Sequence, residues 1–132
     1  MVDEGPNLVT QEGLAQIDSH IARIEAAMKS ETNVLLRETL ARDLRYWEIR
    51  KSTAELAPPP ATDIVSFGST VTIQRKGRTQ TFRIVGVDEA DASKGLISFR
   101  SPIAQNILGL KSGDSVEAAD PLGDVEIISV SL

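Results

Sequence analysis

Cysteine is absent from the 132-residue chain, which excludes disulfides, thiolate metal sites and cysteine nucleophiles. A single histidine, His20, leaves too few imidazoles for a zinc centre. Aromatic residues make up only 4% of the total, so any core must be built from aliphatic side chains. No apolar run approaches the roughly eighteen residues that cross a bilayer. The amino terminus, Met1-Val2-Asp3-Glu4-Gly5-Pro6, is acidic and polar where a secretory signal would be basic and then apolar. These absences point to the cytoplasm. Basic charge is also short: residues 1–57 carry 7 basic and 10 acidic side chains, residues 58–132 carry 7 and 9, and the net charge is −5. Autonomous binding to nucleic-acid phosphate requires a basic field. Any nucleic-acid role is therefore expected to pass through a protein partner.

What is present is the balance of a soluble globular protein, with 41% apolar and 25% charged residues. The length suits a helical element plus one small domain, since a useful core needs on the order of 60 residues. In the first half the apolar residues Leu14, Ile17, Ile21, Ile24 and Met28 step alternately by three and four, the seam of a helix that packs against one partner helix. Thr10 is the expected N-cap and Glu12 sits in the first turn, so helix one is predicted from about Gln11 to Met28. A second seam runs through Leu36, Leu40, Leu44, Trp47, Lys51 and Ala54, up to the Pro58-Pro59-Pro60 run that ends it. Between the seams lies Lys29-Ser30-Glu31-Thr32-Asn33, a stretch of capping residues without an apolar member. Two seams joined by so short a turn bury each other only by folding back antiparallel, which predicts a helical hairpin over residues 1–57 with its tip at 29–33. The prolines make residues 58–63 a stiff linker.

Beyond the linker, over residues 64–132, the period changes to two. Val71 and Ile73 on one side, Thr79, Phe82 and Ile84 on the other, flank the glycine-centred turn Lys76-Gly77-Arg78 and read as a β-hairpin. Leu96-Ile97-Ser98-Phe99, Ser115-Val116-Glu117-Ala118 and Val125 to Val130 supply further strands. Ser101-Pro102 opens a short helix to about Leu108, with serine as cap and proline at the first helical position. The fold class is α+β: a mainly antiparallel sheet with one short helix, preceded by the hairpin.

The order and spacing of Phe67-Gly68-Ser69-Thr70-Val71-Thr72, Phe82-Arg83-Ile84-Val85-Gly86, Asp88-Glu89-Ala90-Asp91, Leu96-Ile97-Ser98 and Ser101-Pro102-Ile103-Ala104 resemble the carboxy-terminal domain of the bacterial Gre family. These factors enter the secondary channel of RNA polymerase and stimulate transcript cleavage. Val9-Thr10-Gln11-Glu12-Gly13-Leu14 also looks like the family's opening of helix one. The resemblance implies an FKBP-like sheet domain and bacterial RNA polymerase as partner. It makes Ser101, Pro102, Ile103 and Ala104 the leading docking candidates, with the acidic turn Asp88, Glu89 and Asp91 as a family feature of fold or docking.

In cleavage-active members a Gly-Asp-x-x-Glu-Asn motif at the hairpin tip presents two carboxylates, which hold a magnesium ion that activates water against the phosphodiester. That motif is missing here. The tip offers Glu31 with neutral neighbours Ser30, Thr32 and Asn33, and the next acid is Glu38. Arms of roughly 18 to 24 residues extend only about 27–36 Å, shorter than in members that cleave. No catalytic residue, metal or cofactor is therefore assigned, and the expected function is a polymerase-binding regulator without cleavage stimulation, a monomer rather than a dimer. Other readings stay open: weak cleavage stimulation through Glu31; an output like that of the regulator of nucleoside diphosphate kinase, another Gre-like protein with a shortened hairpin; and an FKBP-like peptidyl-prolyl isomerase or interaction module. The basic turn Arg75, Lys76 and Arg78 is a further candidate for contact with polymerase or nucleic acid. His20 is expected to be partly exposed and Trp47 to pack in the seam.

Overall fold

The computed structural model describes residues 6–58, 63–118 and 122–131. The chain divides into two compact units, Met1–Leu56 and Ala57–Leu132. Most of the expected linker, residues 59–62, lies outside the described residues.

In the first unit, strand β1 (Asn7–Val9) leads into helix α1 (Gln11–Ser30), and helix α2 (Val34–Thr53) leads into strand β2 (Ala54–Leu56). Thr10 caps α1 as expected, its side chain accepting from the Gly13 amide at 3.0 Å. Asn33 caps α2 in the same way, accepting from the Leu36 amide at 3.1 Å. The two helices run antiparallel, because residues near the start of one meet residues near the end of the other. Lys51 Nζ lies 2.8 Å from Asp18, the His20 and Trp47 rings stack with centroids 4.1 Å apart, and Arg37 reaches Met28. Ile17 and Ile24 are buried along the seam, with Leu14, Ile21 and Met28 half-buried beside them. Helix α1 thus lays its apolar stripe against α2 as its period required.

The second helix departs from its pattern at both ends. Leu36, expected in the seam, is 52% exposed, because it borders an open concavity beside the small side chains Ala27 and Ser30 of α1 rather than a closed contact. Helix α2 also stops at Thr53 rather than continuing to the prolines. Ala54 adopts extended geometry (φ −64, ψ 133), and Ala54–Leu56 pairs in parallel with Asn7–Val9. Under this two-stranded ribbon Arg50 is buried. Its Nη2 donates to Asn7 Oδ1 at 2.6 Å, while Asn7 Nδ2 donates to the Arg50 carbonyl at 2.9 Å and to Thr53 Oγ1 at 3.3 Å. A charged side chain is tolerated there because its guanidinium donates to an acceptor, Asn7 Oδ1, that the strand holds in place.

The second unit is a five-stranded sheet with one short helix, the strands lying side by side in the order β5 (Leu96–Ser98), β4 (Arg78–Val85), β3 (Thr70–Arg75), β7 (Gly123–Ser131), β6 (Ser115–Ala118). Strands β3 (Thr70–Arg75) and β4 (Arg78–Val85) form the predicted hairpin, and the two residues between them, Lys76 and Gly77, both have positive φ (52° and 75°). Such a two-residue turn matches the right-handed twist of the strands, and glycine carries it at least cost. The long strand β7 (Gly123–Ser131) pairs antiparallel with β3 and with β6 (Ser115–Ala118). A shift of register between Thr72 and Ile73 leaves Ile128 outside the ladder and 41% exposed.

The sheet is mixed rather than purely antiparallel, because β5 (Leu96–Ser98) pairs in parallel with β4. Two single turns of 3-10 helix, Val87–Glu89 and Ala92–Lys94, carry the chain back so that β5 starts again from the same end as β4. Helix α3 (Pro102–Ile107) follows, capped by Ser101 with Pro102 at its start. The core is aliphatic, as the scarcity of aromatics required. Val71, Ile73, Ile84, Val125 and Ile127 from the sheet, Val65 from the preceding loop and Ile107 from α3 are all essentially inaccessible. Phe82 and Phe99 are buried as well, and Phe67 meets Phe99 edge-on at 5.5 Å. No helix among the described residues is long and apolar enough to cross a membrane.

Candidate functional site

The predicted tip segment forms the reversal between α1 and α2. Lys29 and Ser30 close α1, with Ser30 Oγ donating to the Ala27 carbonyl at 3.3 Å. Glu31 is the C-cap, and its amide donates to the Ala27 carbonyl at 3.1 Å. At this exposed position its carboxylate bonds the next residue: Oε2 accepts from the Thr32 amide at 3.2 Å. Asn33 is committed to capping α2. The one acid of the turn therefore serves its own backbone, and among the described residues no group of three or more His, Cys, Asp or Glu side chains converges on a possible metal position.

Two tip features were not anticipated. Arg37 reaches back across the turn, its Nη1 donating to the Met28 carbonyl at 2.6 Å and to the Glu31 carbonyl at 3.0 Å. It thereby satisfies carbonyls at the end of α1 that the helix itself leaves open, and its positive charge lies where the α1 dipole is negative. Val34, Leu35 and Leu36 follow the cap as three consecutive apolar residues, 68%, 73% and 52% exposed. A run of three apolar residues in a helix cannot all face one seam. That was the available signal, since the seam needed only Leu36.

In the sheet unit, the parallel pairing of β4 and β5 brings two candidate segments to one edge. Val85 is in register with Ser98, and the Phe99 amide donates to the Val85 carbonyl at 2.9 Å. The chain leaves β4 toward Asp88 and Glu89 and leaves β5 toward Ser101, Pro102, Ile103 and Ala104 from this common end. Glu89 Oε2 accepts from the Gly86 amide at 3.0 Å, which ties the acidic turn to the strand. Ser101 Oγ accepts from the Ala104 amide at 3.4 Å, Ala104 is buried, Ile103 is half-buried and Pro102 is exposed. Ala104 thus supports the fold, Pro102 faces outward and Ile103 is partly accessible beside it.

Asp91 does not join the other two acids. It bridges to Leu96 at the opposite end of β5, and its Oδ1 accepts from the Ser93 amide (3.1 Å) and hydroxyl (2.6 Å). The Ser93 hydrogen bond holds the Asp91 carboxyl below the usual carboxylate range. Across the hairpin helices the Asp18 carboxylate, by hydrogen bond and charge, raises the Lys51 amine above the usual lysine value. Arg75, Lys76 and Arg78 lie at the β3–β4 turn, the start of β4. An eight-residue strand separates them from the Asp88 edge by about 23 Å, at about 3.3 Å per residue. The first unit therefore supplies the tip, and the sheet unit supplies two separate candidate surfaces, the Asp88–Ser101 edge and the basic turn.

Residues 60–132 match the family model described as transcription elongation factor, GreA/GreB, C-term. The chain belongs to the GreA/GreB family. The transcription elongation factor GreA of Streptococcus pyogenes serotype M5 is 46% identical over 96 residues, covering 70% of this chain and 57% of that protein. The transcription elongation factor GreB of Neisseria meningitidis serogroup A is 40% identical over 95 residues, covering 67% and 58%. The chain thus spans less than three-fifths of the length of these relatives. Among solved structures, the GreA/GreB elongation factor from Nitrosomonas europaea shares 21% identity over 98% of this chain and 100% of that one, with a TM-score of 0.47. In this GreA/GreB-family chain residues 60–132, the region the family model matches, contain the whole Asp88–Ser101 edge and the basic turn. The hairpin tip lies outside it.

Proposed function

We propose that this chain is an RNA polymerase-binding regulator of the Gre type that docks through its C-terminal sheet unit and does not stimulate transcript cleavage. Membership of the GreA/GreB family supports the partner, and the hairpin tip carries the second half of the reading. A tip that recruits a catalytic magnesium ion needs two carboxylates free to bind it. Glu31 is the one carboxylate of the turn, it is hydrogen-bonded to the Thr32 amide, and the residues after it are Thr32, Asn33 and three exposed apolar side chains. Helices of 20 residues give arms of about 30 Å, at 1.5 Å per residue. The chain is then a regulator with no reaction of its own.

The docking surface we assign is the edge formed by Asp88, Glu89, Ser101, Pro102 and Ile103, whose two segments the parallel β4–β5 pair holds side by side. Arg75, Lys76 and Arg78 form a secondary contact at the other end of β4. Asp91, held by Ser93, contributes to the turn rather than to docking. Contact with nucleic acid passes through the polymerase, as the acidic net charge favours.

Two assays on core polymerase test the reading. The chain should bind at micromolar concentration and displace a cleavage-active Gre factor; no binding at that concentration defeats the proposal. Backtracked elongation complexes incubated with the chain and magnesium should release no short RNA beyond the polymerase's own rate. Release that disappears in Glu31→Ala would restore the cleavage function instead.

A further inference from the structure

The three apolar residues at the hairpin tip have no role inside the first unit. Val34, Leu35 and Leu36 stand 68%, 73% and 52% exposed at the start of α2, whose first turn holds no acid. Leu36 also walls a shallow concavity of about 360 Å³ that it shares with Ala27, Ser30, Glu31, Thr39 and Leu40. Consecutive exposed aliphatic residues at a turn cost solubility, so their presence points to a covering partner. The tip is also held in one shape. Asn33 caps the helix that bears them, and Arg37 ties that helix to the Met28 and Glu31 carbonyls across the turn. A tip so fixed loses little conformational freedom when it binds.

The size of the patch decides what covers it. The exposed area of the three side chains is on the order of 300 Å², well below the roughly 800 Å² per partner of a stable protein interface. It is too small to hold two copies of the chain together. It is the size of an anchor cluster that fills one pocket, and such an anchor is effective when a second surface of the same chain grips the same partner and raises its local concentration. We propose that Val34, Leu35 and Leu36 form an apolar anchor that inserts into an apolar pocket of RNA polymerase while the sheet unit docks elsewhere on the same enzyme. This inference rests on the polymerase-binding reading above. The tip thereby selects its position by burying hydrocarbon, with no metal ion involved.

The test uses the full chain and core RNA polymerase, with Leu35→Asp as the disrupting variant and Leu35→Met as the conservative one. Leu35 is the second residue of α2, where the helix dipole favours an acid, so Leu35→Asp should leave the far-ultraviolet circular dichroism and the melting profile in place. Leu35→Asp should weaken polymerase binding by about tenfold or more, and Leu35→Met should stay within about twofold. If the unaltered chain binds and Leu35→Asp binds equally well, the anchor is refuted and the docking reading survives. If the unaltered chain does not bind, both fall. If sedimentation shows a concentration-dependent dimer that Leu35→Asp abolishes while polymerase binding is unchanged, the occupant is a second copy and the anchor proposal is overturned.

Discussion

Replacing Asn7 by alanine isolates the clasp that closes the base of the hairpin. Asn7 and Arg50 are 6% and 4% exposed, so the bonds between them are made away from water. Asn7→Ala removes the acceptor of a charged hydrogen bond (Arg50 Nη2 to Asn7 Oδ1, 2.6 Å) and the donor of a neutral one to the Arg50 carbonyl (2.9 Å), with a longer and weaker one to Thr53 Oγ1 (3.3 Å). A hydrogen bond to a charged group contributes about 1.5–3 kcal/mol and a neutral one about 1 kcal/mol, so the loss should be about 3 kcal/mol. Urea denaturation measures it. Trp47 is the only tryptophan and stacks on His20 between the two helices, so its emission follows the opening of the first unit. With a urea dependence of about 1 kcal/mol per molar for a unit of this size, the midpoint should fall by about 2–3 M. Asn7→Asp keeps an acceptor for the guanidinium, now a charged one, and loses the donor to the Arg50 carbonyl, so its midpoint should fall less, by about 1 M. A drop below about 0.5 M for Asn7→Ala, or an Asn7→Asp variant no better than the alanine, would refute the clasp as the element that holds the base together.

Gly77→Ala should destabilise the sheet unit by about 1 kcal/mol, because the residue keeps a φ of +75° and the new methyl meets no atom within 4 Å, leaving conformational strain as the whole cost. Thermal denaturation should show the melting temperature falling by about 4–8 °C, and an unchanged value would mean that the turn does not adopt two consecutive positive-φ residues. Asp91 titrates below the usual carboxylate range because Ser93 hydrogen-bonds its charged form. Its contribution to stability is thus present above the unfolded value, about 3.9, and fades as the pH falls through the lower folded value. Carboxyl-carbon NMR of Ser93→Ala should show the Asp91 midpoint moving up toward the ordinary value, and no movement would assign the depression to another group.

Much of this architecture was legible because it is written in neighbouring residues. Alternating steps of three and four from Leu14 to Met28 can be satisfied only by a helix with one apolar stripe. The loss of apolar residues between Met28 and Val34 marks the reversal, and Thr10, Asn33 and Ser101 cap helices because their side-chain oxygens reach amides three residues on. Lys76-Gly77 marks a tight β-turn for the same local reason. At the candidate site, the lone carboxylate of the tip was equally plain, since the count of acids in a five-residue turn needs no coordinates. Leu36 departs from its expected burial, because its spacing fits the seam and spacing does not reveal that the α1 side chains beside it, Ala27 and Ser30, are too small to cover it.

Other features depend on partners far along the chain. Asn7–Val9 and Ala54–Leu56 are separated by more than 40 residues, and neither has a pattern that distinguishes it from loop or helix. Their pairing, and the burial of Arg50 beneath it, exists only once the hairpin has folded back and brought both ends together. The parallel direction of β5 is set by the return through two 3-10 turns, not by Leu96-Ile97-Ser98, which would read the same in either direction. That direction brings Asp88 and Ser101 to one edge and sends Asp91 to the other end. Periodicity and capping chemistry thus specify which elements form, because they act over three or four residues. Which segments meet at a surface is selected by packing across the whole fold, where the free energy belongs to the pair and is invisible in either member.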